Sequence, residues 1–164
     1  MLFDLDGTLI DTIPLIRESH RHAVSTVLGL ELPDDALVAG VGRPLMEQMT
    51  AFSPEHAQEL FDTYRSWNHA NTERLLGSFD GVADALLALE ASGARLGVVT
   101  SKSRDAVDLA FRCQPPPVVF DALVTVDDTV RHKPDAEPLL HALAQLGATS
   151  ADAVYVGDAT YDGA

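Results

Sequence analysis

The sequence predicts an α/β fold, a Rossmann-like doubly wound parallel sheet with a helical cap inserted after its first strand. Two observations predict this fold. Between residues 78 and 164, short apolar runs alternate with segments of helical periodicity, and the runs are apolar throughout, as in strands covered on both faces. Residues 13–77 instead show helical patterning. We therefore expect an α/β core of residues 1–12 and 78–164 and a helical cap of residues 13–77.

The expected strands are short apolar runs that end in polar residues or glycine. The first begins at Leu2 and breaks at Gly7, and the others cover residues 95–100, 122–126 and 153–158. The expected helices cover residues 13–29, 34–39, 44–51, 53 to about 76, 82–93, 103 to about 113, and about 139 to 146. Ser53 is the expected N-cap of the fourth helix, because Pro54 follows it.

Charge restricts the classes of partner that the protein can bind. The 164 residues carry a formal net charge of −14, from 11 Lys+Arg and 25 Asp+Glu. This charge repels nucleic-acid backbones, so we expect no nucleic-acid partner. It also repels small anions, so a site that handles phosphate needs a bound cation or a local basic cluster.

The sequence carries no membrane or export signal that we can identify. No apolar run approaches the roughly 20 residues that cross a bilayer, and no basic segment followed by an apolar stretch opens the chain. Cys113 is the single cysteine, so no intrachain disulfide can form. We expect a cytoplasmic protein without a membrane partner.

Acidic and hydroxyl side chains follow three of the expected strands. Asp4 and Asp6 follow the first strand, Thr100 and Ser101 the second, and Asp158 the last. In an open α/β sheet, ligands bind beyond the carboxyl ends of the strands, so these side chains are expected to converge. Carboxylates held together repel each other unless a cation lies between them, and oxygen ligands of this kind suit Mg²⁺.

Four segments, in the same order, resemble the four motifs of haloacid dehalogenase superfamily phosphatases. They are residues 4–12 (DLDGTLIDT), 98–102 (VVTSK), 132–135 (HKPD) and 157–162 (GDATYD). The helical segment also stands where this family carries a helical cap. The resemblance implies a hydrolase that acts on a small phosphorylated metabolite.

The resemblance also implies roles for individual residues. Asp4 is the expected nucleophile, which forms an aspartyl-phosphate, and Asp6 the acid and base that protonates the leaving oxygen and activates water. The remaining implied roles are as follows: Thr100, Ser101 and Lys133 bind the phosphoryl group; Asp4, the backbone carbonyl of Asp6, and Asp158 hold Mg²⁺; Asp162 orients Lys133 or a metal-bound water.

The subfamily is indicated by residues near the first motif and in the cap. Mutases similar to β-phosphoglucomutase usually carry valine at the place of Thr8 and histidine at the place of Ile16, so both residues favour a phosphatase. The chain resembles phosphoglycolate phosphatases and also pyrophosphatases of the same cap type. Three segments resemble the pyrophosphatases: residues 42–45 (GRPL), 64–69 (YRSWNH) and 126–128 (VDD). Arg43 is the expected cap residue that binds a carboxylate or a second phosphate.

The chain departs from the family after the fourth motif. Relatives usually continue with a helix, a strand and a final helix, whereas this sequence stops at Ala164, so we expect the C-terminal part of the core to be missing. The strand at 153–157 would then be an uncovered edge. Another class of function stays open, a catalytically inactive truncated remnant that binds or regulates. The sequence is compatible with a monomer or a homodimer.

Overall fold

The computed structural model of the protein describes residues 1–162, and its centre is a parallel sheet. The strands are β1 (Leu2–Phe3), β2 (Gly97–Val99), β3 (Ala122–Val124) and β4 (Tyr155–Val156). Their order is β3-β2-β1-β4, and every pairing is parallel. The predicted α/β fold with a parallel sheet is therefore confirmed.

Seven helices accompany the strands in the described residues. They are α1 (Ile13–Leu28), α2 (Asp34–Val38), α3 (Leu45–Phe52), α4 (Ala57–Leu75), α5 (Val82–Ala91), α6 (Arg104–Cys113) and α7 (Glu137–Leu146). Within residues 1–162, none of them combines the length and the apolar composition that a membrane crossing needs. Each lies close to the segment where the helical periodicity predicted it.

Helices cover the sheet on both faces. Neighbouring residues of a strand point to opposite faces and therefore pack against different helices. In β1, Leu2 packs in a cluster with Leu143 of α7, whereas Phe3 packs with Leu86 of α5. Both residues of this central strand are buried. This arrangement explains why the strands are apolar throughout.

The third strand is shorter than predicted and ends at Val124. Both the backbone N–H and the hydroxyl of Thr125 donate to Oδ2 of Asp128, each over 2.7 Å. These bonds turn the chain into a single 3₁₀ turn, Val126–Asp128. The prediction of strand at residues 125 and 126 was wrong, because side-chain capping replaced the strand ladder there.

The helical insert, residues 13–77, has a hydrophobic cluster of its own. Val24 of α1 and Met49 of α3 pack there against Leu60 and Tyr64 of α4. Gly29 ends α1 in the left-handed conformation, with φ 67°, as its position predicted. The division into a core and a cap stays a prediction.

The predicted start of the fourth helix was wrong. Ser53 follows the last residue of α3 in an extended conformation, and α4 begins at Ala57. A residue before proline is disfavoured in the helical region, which accounts for the conformation of Ser53. Its hydroxyl instead accepts a 3.4 Å hydrogen bond from the amide of His56 in the turn between the helices.

Strand β4 lies at one edge of the described sheet. It pairs with β1 on one side, and the side chains of Val154 and Val156 are 57% and 37% exposed. Within residues 1–162, no strand lies on its other side.

Candidate active site

A cleft of about 240 Å³ lies between the carboxyl ends of the strands and the helical insert. Asp4, Asp6, Thr100 and Ser101 line it from the core, and Arg43 lines it from the insert. The structure therefore brings together five of the residues that the sequence pattern selected.

Three carboxylates meet beside this cleft. Asp4, Asp158 and Asp162 each place one oxygen within 4.8 Å of the other two. Thr8 donates a 2.8 Å hydrogen bond to Oδ1 of Asp158 and so fixes that carboxylate. Three hard oxygen donors at this spacing fit Mg²⁺, which binds few carboxylates and keeps several other oxygen ligands.

Two glycines make room for these carboxylates. Gly7 has φ 80°, and a Cβ at this position would overlap the carboxylate of Asp158. A Cβ at Gly157 would likewise overlap Asp162. The glycines of the first and fourth motifs thus allow the acidic side chains to pack against backbone.

Lys133 is buried among the acids. Its Nζ lies 3.0 Å from Oδ1 of Asp4 and 2.7 Å from Oδ1 of Asp162, and it donates to the hydroxyl of Tyr155 over 3.0 Å. The residue is only 6% exposed, so it is not a solvated surface lysine. These contacts place a cation beside Asp4 and the carboxylate of Asp162 against that cation, and the expected roles of Lys133 and Asp162 stay predictions.

Burial dominates the ionisation of Asp4. Burial raises the pKa of this carboxyl to about 7, and the negative charges of Asp162 and Asp6 contribute to the increase. The positive charge of Lys133 lowers the pKa but does not offset the increase. The amide of Leu5 donates a 2.8 Å hydrogen bond to Oδ1 of Asp4. A cation bound at this carboxylate would favour the ionised form, which is the form that attacks phosphorus.

Asp6 has a partner that the sequence reasoning missed. Nζ of Lys102 lies 2.8 Å from Oδ1 and 3.1 Å from Oδ2 of Asp6, and both side chains are mostly buried. The amide of Lys102 also donates to the hydroxyl oxygen of Thr100, over 3.2 Å. The available signal was its place in the second motif, two residues after Thr100 and three residues after the end of a buried strand.

Ser101 and Arg43 both contact residues across the cleft. The Ser101 hydroxyl donates a 2.7 Å hydrogen bond to the carbonyl of Gly42 in the insert. Nε of Arg43 donates a 2.6 Å hydrogen bond to the hydroxyl of Tyr161. In this structure, Ser101 joins the core to the insert, and its expected contact with phosphate stays a prediction.

Further basic side chains line the cleft. Arg65 and His69 extend from α4, and Lys102 lies on the core side. Burial lowers the pKa of His69, and the charge of Arg65 lowers it further, so this imidazole is neutral at pH 7. We call Arg43, Arg65 and Lys102 the cationic wall; it is a local basic cluster in a protein of net charge −14.

Known proteins resemble this chain in sequence and in fold. The family model of the haloacid dehalogenase-like hydrolases matches residues 1–164. The chain belongs to this hydrolase family. The pyrophosphatase PpaX of Bacillus velezensis is 36% identical over 162 residues, which cover 99% of this chain and 75% of the relative.

Solved structures of other proteins share the fold. A predicted phosphatase from Clostridium acetobutylicum has a TM-score of 0.84 and 28% identity, and the match covers 98% of this chain and 76% of that one. A predicted phosphoglycolate phosphatase from Haemophilus somnus 129PT has a TM-score of 0.89 over 98% of this chain and 77% of that one, but at 20% identity it supports the fold alone.

The first helix of this family member carries no histidine at the cleft. Ile16, the residue at which the sequence comparison with mutases expected a histidine in that class, lines the cleft. His20, one turn further on, is buried in the insert, where its Nδ1 lies 2.7 Å from the carbonyl oxygen of Leu37. His20 is thus a structural residue of the insert. The absence of a histidine from the part of α1 that lines the cleft favours a phosphatase over a mutase.

Proposed function

We propose that the protein is a Mg²⁺-dependent phosphatase that hydrolyses a small phosphate monoester, similar to phosphoglycolate, through an aspartyl-phosphate on Asp4. The observation that carries the proposal is the position of Asp4. Its carboxyl is buried at the base of the cleft, beside Lys133 and the carboxylates of Asp158 and Asp162. The proposed nucleophile, a cation and the proposed metal ligands therefore lie together around the carboxyl of Asp4.

The metal ligands would be Asp4, Asp158 and the backbone carbonyl of Asp6, with Asp162 outside them. Oδ1 of Asp162 is already shared by Lys133 and Tyr155, and its Oδ2 accepts the amide of Ala159 over 2.9 Å, which favours this outer role. When bound, Mg²⁺ supplies positive charge that offsets the charge of the nucleophile and of the phosphoryl oxygens.

The first step is the attack of an Asp4 oxygen on phosphorus. The new bond joins Asp4 to the phosphoryl group, and the bond from phosphorus to the leaving oxygen breaks with its electron pair. Protonated Asp6 transfers a proton to that oxygen. Lys133, together with the Thr100 hydroxyl, stabilises the negative charge of the transferring group.

The second step regenerates Asp4. Asp6, now ionised, accepts a proton from a water molecule, and the resulting oxygen attacks phosphorus. The bond between phosphorus and the Asp4 oxygen breaks, and inorganic phosphate leaves. Closure of the insert over the cleft would exclude other water from the intermediate.

Hydrolysis of inorganic pyrophosphate is a second candidate for the same site. The leaving group would then be a phosphate with several charged oxygens, and the cationic wall of Arg43, Arg65 and Lys102 lines the same cleft. The relative from Bacillus velezensis is named a pyrophosphatase, which supports this candidate equally well.

The test is phosphate release by monodisperse protein from 2-phosphoglycolate, pyrophosphate and p-nitrophenyl phosphate. We expect turnover with Mg²⁺, loss of turnover in EDTA, recovery on adding Mg²⁺, and poor replacement by Ca²⁺, whose coordination is larger and looser. The ratio of kcat/KM values assigns the preferred leaving group. Full activity in EDTA would refute the metal mechanism, and no turnover of any substrate would favour the inactive alternative.

A further inference from the structure

Tyr161 joins the turn of the fourth motif to the helical insert. Its hydroxyl accepts a 2.6 Å hydrogen bond from Nε of Arg43, and the guanidinium carbon of Arg43 lies 4.9 Å from the centre of its ring. The phenol thus holds the guanidinium by a charge-assisted hydrogen bond and by a cation–π contact.

The backbone beside Arg43 is held independently of its side chain. The carbonyl of Gly42 accepts the Ser101 hydroxyl over 2.7 Å, and the carbonyl of Arg43 accepts the Gln48 amide over 2.8 Å. Gly42 has φ 98°, and a Cβ there would lie 2.9 Å from Cβ of Ala159 and 3.1 Å from Cδ2 of Tyr161. With the loop fixed by these contacts, the Tyr161 hydroxyl determines the direction of the guanidinium.

The terminal nitrogens of Arg43 remain available to a ligand. Nε is occupied by Tyr161. Among the ion pairs within residues 1–162, none involves this guanidinium. Arg43 also lines the cleft that contains Asp4 and Asp6. A guanidinium held in this way presents two parallel N–H donors, which match the oxygens of a carboxylate or a phosphate.

We propose that Tyr161 is a positioning residue, which aims Arg43 at a second anionic group on the leaving side of the substrate. The proposal rests on the proposed function for the identity of the reaction. It assigns to the fourth-motif turn a role in substrate selection in addition to metal binding. Substrates without a second anion gain nothing from this contact.

Tyr161→Phe tests the proposal because it keeps the ring and removes the hydroxyl. We expect KM for pyrophosphate or 2-phosphoglycolate to rise about tenfold, from the loss of a charge-assisted hydrogen bond, while kcat/KM for p-nitrophenyl phosphate changes less than about twofold. Arg43→Ala should also raise KM for pyrophosphate or 2-phosphoglycolate. The double variant should be no worse than Arg43→Ala, because the hydroxyl acts through the guanidinium.

Controls separate this role from simpler ones. Thr160→Ala, in the same turn, should leave kcat/KM unchanged for pyrophosphate, 2-phosphoglycolate and p-nitrophenyl phosphate. Equal losses for all substrates, with a lower Tm, would mean that Tyr161 is only structural. An increased Mg²⁺ requirement with p-nitrophenyl phosphate would mean that Tyr161 acts on the metal ligands instead, and either result would overturn the proposal.

Equilibrium binding tests the proposal without any turnover. Imidodiphosphate, an analogue of pyrophosphate that resists hydrolysis, can be titrated calorimetrically into wild-type and Tyr161→Phe protein in Mg²⁺. We expect about tenfold weaker binding by the variant. Equal Kd values would refute the role of Tyr161 even in an active enzyme, whereas an inactive wild type that shows the tenfold difference would refute the proposed function alone.

Discussion

The ammonium group of Lys102 lies 2.8 Å from one carboxylate oxygen of Asp6 and 3.1 Å from the other. The chain contains two lysines, and both form ion pairs with aspartates of the candidate site, Lys102 with Asp6 and Lys133 with Asp4 and Asp162. Each carboxylate to which we assign a chemical step therefore has a cation fixed beside it. The core supplies both cations, so neither depends on the position of the insert.

The Lys102–Asp6 pair predicts an effect that depends on the leaving group. Lys102→Met removes the group that orients Asp6, so proton transfer to the leaving oxygen should suffer most when that oxygen is basic. General acid catalysis contributes about 10²–10⁴-fold, and we expect kcat for phenyl phosphate to fall at least about tenfold more than kcat for p-nitrophenyl phosphate. Equal losses for the two esters would show that Lys102 does not act through Asp6.

Lys133 should be essential for stability as well as for turnover. Lys133→Met leaves the buried carboxylates of Asp4 and Asp162 without their cation, and removing one partner of a buried ion pair costs about 3–5 kcal/mol. Urea unfolding at pH 8 should show this loss without metal and a smaller loss with excess Mg²⁺. Arg74→Met, which removes an exposed cation, should change stability by less than about 0.5 kcal/mol. A similar small change for Lys133→Met would contradict the assignment.

His20 predicts how stability depends on pH. Burial lowers its pKa from 6.5 to about 4, although the carbonyl of Leu37 acts in the opposite direction. The unfolded chain therefore binds the proton more readily, and the folded protein should lose up to about 3 kcal/mol as pH falls from 6.5 to 4, at 1.36 kcal/mol per pKa unit. Above pH 6.5 the folded protein keeps this full contribution of neutral His20 to its stability.

Urea unfolding of His20→Gln at several pH values checks this prediction. The variant should have a shallower loss of stability between pH 6.5 and 4 than the wild type. His22→Gln serves as the control, because the half-buried His22 stacks on Trp67 at the insert surface, with ring centres 5.6 Å apart. Identical slopes for wild type and His20→Gln would remove His20 as the cause.

Gly7 should be required for metal binding. In Gly7→Ala, the new methyl group would displace the carboxylate of Asp158, in addition to the strain of alanine at φ 80°. We expect Mg²⁺ at a hundredfold excess over Kd to stabilise the wild type by about 2.7 kcal/mol and to stabilise Gly7→Ala much less. Gly93→Ala is the matched control, with φ 83° and open space around its Cβ. Unchanged stabilisation by Mg²⁺ in Gly7→Ala would contradict the prediction.

The sequence predicted the sheet and the acids at its edge because both follow from local pattern. An apolar run fixes a buried strand, and the parallel topology brings Asp4 and Asp158 together at one edge. The contacts of Lys102 and Tyr161 were not predictable, because they join residues 96 and 118 positions apart through flexible side chains. The error at Ser53 has a different, local cause, because a turn between Ser53 and His56 competed with the helix start.

Burial determines how the charged residues of the site interact, and the sequence pattern does not show which charged residues are buried. Lys133 and Asp4 are ordinary charged residues in the sequence, yet they are 6% and 2% exposed in the structure. Burial raises the pKa of Asp4 and leaves Lys133 in contact with two carboxylates. The expected roles of these residues could be proposed from the motifs, whereas the mutual dependence of their charges required the structure.

The central claim is that Asp4 attacks phosphorus, and the most direct test is Mg²⁺-dependent phosphate release by Asp4→Asn. An amide neither attacks phosphorus nor offers a metal the charge of a carboxylate. We predict that kcat with p-nitrophenyl phosphate falls by about a thousandfold or more, equivalent to about 4 kcal/mol of transition-state stabilisation. Asp108→Asn, at an exposed position on α6, should remain within about twofold of wild type. Turnover by Asp4→Asn within a few-fold of the wild-type rate would contradict the account.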